Sequence, residues 1–345
     1  RKQALDRVNE INHYDTFIVM MIPKDISTYR IFRLVSEKKI GFCELMLGSL
    51  PIYKISAKEK RIGFFRRWMW KSPIILSVKL FFFLFQKVVH FPEPRMIFAG
   101  GKITEGRAHK NRMLELCKIV RSHALDFDIF REISSKPTLC SIEKPYIVFL
   151  DEYAPFHPDF IRTTGKSPIE PDNYYFKLNN FFDWLEKQTS YEVMIAAHPR
   201  SIKETQKKRF RGRAIFYGNT AELVRDCSLV LLHASTSVNF AVLFEKPMLF
   251  ITSNEIDKTD LGRGIKSMAS EFGTTPLNVD KKIDPGFFVF QEIEKAYYEY
   301  YKENYIISKD ADERHIGYQI ADQVRAFFQE KLRKEQKNEL EVRSV

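Results

Sequence analysis

Short, unbroken apolar runs that end in polar residues recur through the second half of the chain. VFLDEYAPFHPDF (148–160), VMIAAHPR (193–200) and LVLLHASTSVNFAVLFEKPMLFI (229–251) are the clearest. Runs of this kind are expected of strands buried on both faces of a parallel sheet, with carboxyl ends that open onto a site. Between them, NYYFKLNNFFDWLEKQT (173–189), TAELVRDC (220–227) and SVNFAVLFE (237–245) read as helices, while AIFYGN (214–219) and PMLFITS (247–253) read as further strands. Alternation of strand and helix predicts a parallel sheet with helices on both faces.

The first half carries a weaker version of the same pattern. FIVMMIPKD (17–25), IGFCELML (40–47) and PIYKIS (51–56) read as strands. Residues 94–122 read as a strand, a turn at Gly100 and Gly101, and one long helix with apolar residues at Met113, Leu114, Leu116, Cys117 and Val120. Strand, glycine turn and helix form the unit of nucleotide-binding folds. A polar stretch at 134–145, flanked by Pro137 and Pro145, reads as a linker, and 286–305 and 311–335 read as closing helices. The expected class is α/β: a Rossmann-like domain over 1–140, a second over 141–305 facing it across a cleft, and a segment at 306–345 that crosses back and ends in a charged tail.

A chain of 345 residues with 44% hydrophobic and 29% charged residues has the make-up of an ordinary globular protein with room for two cores. Cys43, Cys117, Cys140 and Cys227 are scattered without a CxxC pair, which favours free thiols in a reducing compartment and gives no zinc motif. The net charge of +11 raises the question of a nucleic-acid partner, but no recognition motif accompanies it. The basic runs 203–213 and 330–337 read as solvated faces, and no nucleic-acid partner is expected. Residues 72–91 are apolar but contain Lys79 and Lys87, and they follow Arg66, Arg67, Trp68, Trp70 and Lys71. That stretch reads either as a surface dipping into anionic lipid headgroups or as an amphipathic helix over the first sheet. The chain shows no signal-peptide pattern and opens on RKQALDRVNE without Met, as expected of part of a larger multidomain protein.

Candidate chemistry sits at the ends of the apolar runs. Ser235, Thr236 and Ser237 precede a helix directly after a strand, and Thr220 begins another with Glu222 in its first turn; hydroxyls and free N–H groups there suit a phosphate, or serve as plain caps. His198, Pro199 and Arg200 end a neighbouring run, where His198 could donate to a phosphate oxygen or assist a leaving nucleotide. Asp151 and Glu152 follow IVFL, with His157 and Asp159 close behind; Asp151 is the first choice as base or nucleophile, and Glu152 and Asp159 compete with it. Gly100, Gly101, Lys102, Arg107 and His109 form a basic loop suited to an acidic acceptor or a sugar carboxylate. His123, Asp126 and Asp128 line the same cleft or cap a helix. Asp126 and Asp128 have Asp-x-Asp spacing but lie in a helix-to-loop stretch rather than at a strand end, so no obligatory metal is expected.

With these motifs located, the chain resembles GT-B glycosyltransferases that use CMP-activated acidic sugars: the bacterial sialyltransferases and, more closely, the retaining β-Kdo transferases of capsule and O-antigen polysaccharide synthesis. The resemblance covers about 94–255. In that family a His-Pro motif and a Ser/Thr pair hold the CMP phosphate, and they match His198–Pro199 and Ser235–Thr236–Ser237. A carboxylate nucleophile in retaining members matches Asp151. The resemblance implies CMP-β-Kdo or a related nonulosonic acid as donor and no obligatory cofactor. It further implies a glycan or lipid-linked glycan acceptor and a cytoplasmic location, peripheral at the inner face of the membrane. An inverting transferase, a glycerophosphotransferase and a noncatalytic glycan- or lipid-binding module remain as alternatives.

Overall fold

The computed structural model describes residues 8, 15–22, 24–25, 27–51, 91–110, 117–137, 144–157, 167–283 and 293–343. The strand expected at 52–56, the aromatic and basic stretch at 64–90, Met113, Leu114, Leu116, Cys140 and Asp159 lie outside them.

Two parallel sheets organise the chain. The first has the order β1-β2-β3-β4, with β1 Phe17–Met20, β2 Gly41–Met46, β3 Met96–Gly100 and β4 Lys118–Ser122. Helix α1, Tyr29–Glu37, joins β1 to β2 and seats Phe32 and Val35 fully in the core. Helix α2, Lys102–Lys110, follows the glycine turn, and α3, Leu125–Ser134, follows β4. The second sheet has the order β10-β9-β8-β5-β6-β7. Its strands are β5 Tyr146–Leu150, β6 Glu192–Ala196, β7 Ile215–Phe216, β8 Leu229–Leu232, β9 Met248–Thr252 and β10 Leu277–Asn278. Every pairing in both sheets is parallel. The apolar runs YIVFL and LVLL are buried along their whole length, so β5 and β8 form the centre of the core.

Two expectations are corrected. The long helix over 94–122 is a short one ending at Lys110, and Lys118–Ser122 is an edge strand paired to β3. In KIVRS the Ile-Val pair is half-buried between exposed Lys118 and Arg121, with Ser122 buried at the end, and that pair suits a strand as readily as a helix face. Asp126 and Asp128 lie inside α3, not in a helix-to-loop stretch.

The remaining helices are α4 Pro171–Thr189, α5 Lys203–Arg209, α6 Thr220–Asp226, α7 Val238–Leu243, α8 Asp260–Glu271, α9 Lys295–Tyr301 and α10 Ile316–Arg343. Glu170 caps α4 by accepting the N–H groups of Asp172 and Asn173. A wider turn, Lys302–Ile306, continues α9. It leads to Ile307, which bridges His123, while Ala124 donates its N–H to the Ile306 carbonyl at 2.7 Å. Helix α10 then lies on the first sheet, where Ile316, Ile320 and Phe327 pack with Cys43, Leu47, Met96 and Phe98. The Phe327 ring stands 5.2 Å from that of Phe17. The architecture, two parallel α/β units with helices and a cleft between them, is of the GT-B kind.

Candidate functional site

In the second sheet the chain begins at β5, runs outward through β6 and β7, and returns on the other side as β8, β9 and β10. The connections after β5 and β8 therefore diverge, and a crevice opens between them at the carboxyl ends of the strands. A cavity of about 610 Å³ occupies this place. Its wall includes Asp151, Glu152 and His157 after β5; His198 and Pro199 after β6; Thr220 at the start of α6; and Ser235, Thr236 and Ser237 after β8. Asp260, Leu261 and Gly264 of α8 and Leu50, beyond β2 of the first sheet, complete it. The cavity thus lies between the two sheets.

Asp151 is buried, and its position is fixed from both sides. Its N–H donates to the Ala196 carbonyl at 3.0 Å, and its Oδ1 accepts the Tyr153 N–H at 2.9 Å. Tyr153 itself adopts the left-handed conformation, φ 54°, and leads into the short turn Ala154–Phe156. Beneath this turn the Arg209 guanidinium lies 4.2 Å from the centre of the Phe156 ring, with Tyr175 and Tyr153 at 5.4 and 5.8 Å.

Glu152 bridges the two central strands. Its Oε1 accepts the Ala234 N–H at 3.1 Å, whereas its Oε2 is out of contact with solvent and has no hydrogen-bond partner. Burial, reinforced by the neighbouring charge of Asp151, pushes the Glu152 carboxyl up to about 8, so it is mostly protonated at neutral pH.

The His198 imidazole accepts the Arg200 N–H at Nδ1, 3.1 Å away, which places the ring proton on Nε2. Burial, then His157 and Arg200, hold its pKa below the usual value, so at neutral pH the ring is an uncharged donor. The rings of His157 and His198 meet edge to face at 5.7 Å between centroids. Ser235 Oγ accepts the Ser237 N–H at 3.2 Å, while Thr236 is exposed. Since α7 is only 6 residues long, the hydroxyls and loop N–H groups, rather than a helix dipole, are what this rim offers an anion.

Not all the candidate residues reach the cavity wall. The Arg200 side chain is exposed, and Glu222 lies farther along α6. The Gly100–Gly101 turn is a packing device. Gly101 has φ +81°, and a Cβ there would stand 2.5 Å from the Asn304 carbonyl oxygen; one on Gly100 would stand 2.9 Å from the His123–Ala124 backbone. Lys102 pairs with Glu303 at 2.6 Å, and His109 lies 3.7 Å from Glu105. Arg107 comes nearest, donating to Ser49 Oγ at 3.1 Å beside the cavity residue Leu50. Asp126 accepts from Asn239 Nδ2 at 2.7 Å, and Asp128 accepts the Ile316 N–H at 3.1 Å near His123, so both tie helices together. Among the described residues no His, Cys, Asp and Glu side chains gather as a metal site. Nor is any helix among them long and apolar enough to cross a membrane.

Sequence reasoning passed over several residues. His233, buried behind the rim, has Nδ1 2.8 Å from the Ile251 carbonyl and Nε2 2.9 Å from the Tyr174 hydroxyl. Burial pushes it down to about 4, which keeps it neutral. Its signal was a histidine at the end of an apolar run, one residue before Ser-Thr-Ser. Asp260, Leu261 and Gly264 carried no comparable signal.

No family model matches the sequence, and no curated protein does. Among solved structures, similarity extends to S. aureus MnaA in a UDP co-structure, at 11% identity over 95% of this chain and 79% of that one, TM-score 0.48. It also extends to the UDP-GlcNAc 2-epimerase of Methanocaldococcus jannaschii, at 11% identity over 93% and 81%, TM-score 0.46. A variant of the wall teichoic acid polymerase TagF matches at 13% identity over 86% and 70%, TM-score 0.47. Likeness at that level describes general shape, and the chemistry of the cleft rests on this chain's own side chains.

Proposed function

We propose that the cleft binds a nucleotide-activated sugar and transfers the sugar to a glycan acceptor. The observation that carries this reading is the meeting, in one cavity of about 610 Å³, of the Asp151–Glu152 carboxyl pair, a neutral histidine donor and a hydroxyl rim, each from a different strand end. The volume suits a nucleotide sugar. The hydroxyls of Ser235, Thr236 and Ser237, with His198 Nε2–H and Thr220, are the groups for the phosphate. Sequence resemblance favours CMP with Kdo or a related nonulosonic acid.

In this reading Asp151 is the nucleophile. Its carboxylate attacks the anomeric carbon as the bond to the nucleotide phosphate breaks, and CMP leaves carrying the bonding electron pair. An acceptor hydroxyl then attacks the same carbon, passes its proton to cleft water and releases the Asp151 carboxylate, so two inversions retain configuration. The bonds to the Tyr153 N–H and the Ala196 carbonyl hold Asp151 in place for both steps. The acceptor enters from the side of Leu50 and the first sheet.

Thermal melting of the protein with CMP, UDP, GDP and CDP in parallel tests the binding half. A ligand at a hundred times its Kd adds about 2.7 kcal/mol, enough to read as a clear shift. Selective stabilisation by CMP supports the acidic-sugar donor; selectivity for another nucleotide reassigns the donor; no response to any of them removes the reading. The Asp151→Asn variant should bind the nucleotide and lose transfer, and a sugar trapped on Asp151 would establish the double displacement.

A further inference from the structure

Two carboxyls stand side by side in the cavity wall, and their surroundings differ sharply. The Oδ1 of Asp151 accepts a backbone N–H within its own turn. Glu152 reaches away, to the Ala234 N–H, and so places its carboxyl at the junction between β5 and the Ser235–Ser237 rim. One Glu152 oxygen is satisfied there, while the other is shut off from water with nothing to bond. A buried polar atom in that condition is costly, and in a ligand cavity it marks a place where the missing partner comes from the ligand.

The partner must be an acceptor. Glu152 is half-buried, but its carboxyl end is shut off beside Asp151, so a second negative charge is disfavoured and the carboxyl keeps its proton. With Oε1 occupied as an acceptor, Oε2–H is the free donor. The groups that face Glu152 from the surrounding elements are Asp151 beside it, Tyr174 on α4, His233 and Ala234 at the end of β8, and the His157–His198 pair across the cavity. Tyr174 gives its hydroxyl proton to His233, and His233 donates to Ile251, so that chain is closed and leaves Oε2 unanswered.

We propose that Glu152 binds as a neutral acid, donating a hydrogen bond from Oε2–H to an anionic oxygen of the ligand. The oxygen belongs to the nucleotide phosphate or to the carboxylate of an acidic sugar. The proposal rests on the nucleotide-sugar reading and adds the group that makes the site selective for an anion at this point. Once Glu152 loses its proton, the same position repels that oxygen.

The test is calorimetric titration of CMP and, separately, free Kdo, from pH 7 to pH 9.5, into the wild-type protein and Glu152→Gln. Glutamine keeps an acceptor for Ala234 N–H and an N–H donor in place of Oε2–H, but cannot ionise. For the wild type, the Kd of the probe that meets Glu152 should hold steady to about pH 8 and then rise about tenfold per unit, as expected for loss of a single proton. For Glu152→Gln it should stay flat. A pH effect on CMP identifies the phosphate as the partner, and one on Kdo alone identifies the sugar carboxylate. A flat wild-type profile for every probe that binds overturns the proposal and leaves the donor reading standing, as does an equal slope in both proteins. Absence of binding by CMP, UDP, GDP and CDP at every pH overturns both. A flat wild-type profile overturns the proposal even if the variant does not fold, and Glu152→Ala, which also cannot ionise, then replaces Glu152→Gln as the reference for a sloped one.

Discussion

The Tyr174 hydroxyl donates to His233 Nε2 at 2.9 Å, joining α4 to the end of the central strand β8 directly behind the cavity rim. Both groups are enclosed, and Nδ1 of the same imidazole is spent on the Ile251 carbonyl. His233→Leu would leave two buried polar groups without partners, at a cost of about 2–4 kcal/mol in thermal or urea unfolding. Adding Tyr174→Phe should return part of that loss.

The same histidine sets a slope with pH. The folded state holds it near 4, against an ordinary 6.5, so between these values the unfolded chain binds the extra proton. Its contribution to stability is complete above pH 6.5 and falls as pH drops toward 4, by about 1.4 kcal/mol per unit. Urea midpoints at successive pH values should show this loss in the wild type, and His233→Leu should lack it.

Glu152 acts in the opposite sense. Raised from 4.5 to about 8, it takes up a proton more readily in the folded state, and its contribution is full below pH 4.5 and is lost as pH rises through 8. Glu152→Gln should therefore differ little from the wild type at pH 5 and melt higher than it at pH 9. Equal melting of the two at both pH values would rule this out.

Gly101→Ala tests the glycine turn. A left-handed φ and a Cβ placed against the Asn304 carbonyl leave no relaxed solution, so a loss of about 2–4 kcal/mol is expected. Because the displaced backbone belongs to the 302–306 turn, limited proteolysis should show cutting there before global unfolding.

His198→Ala removes an uncharged donor from a half-buried position. The unliganded protein should melt within about 0.5 kcal/mol of the wild type. Nucleotide binding should weaken about tenfold, the worth of one hydrogen bond to a charged oxygen. A parallel cytidine titration should show no change if the ring meets the phosphate.

The second sheet was legible because β5, β6, β8 and β9 are buried on both faces and write themselves as continuous apolar runs. The same runs mark their own ends, which is why Asp151, His198 and Ser235 could be named. Less visible was α8: DLGRGIKSMASE has two glycines and few large apolar residues, yet Thr259 caps it and Gly262 packs against the Ile256 carbonyl. Edge strand β4 was hidden for the converse reason, since Cys117 and Val120 continued a spacing that a helix also satisfies. The Gly100–Gly101 turn showed that close approach was needed but not by what, and the answer, Asn304, lies some two hundred residues away along the chain. His233 was present in plain letters, but nothing local distinguishes an imidazole with two buried partners from one that faces a ligand.

Residues 203–213 form a dense cationic run before the C-terminal helix, and along the sequence they read as a solvated face. In space Lys203, Lys207 and Lys208 stay exposed, whereas the arginines turn toward the protein. Arg211 meets Asp183 at 2.6 Å, Arg213 meets both Asp183 and Glu186, and Arg209 lies against aromatic rings. Opposite charges held this close look neutral beyond about 8 Å in physiological salt. What one dimension presents as a uniform basic face is, in three, partly a seam stitching α4 to the outer edge of the second sheet, with the charges of Arg211 and Arg213 already answered by the protein itself.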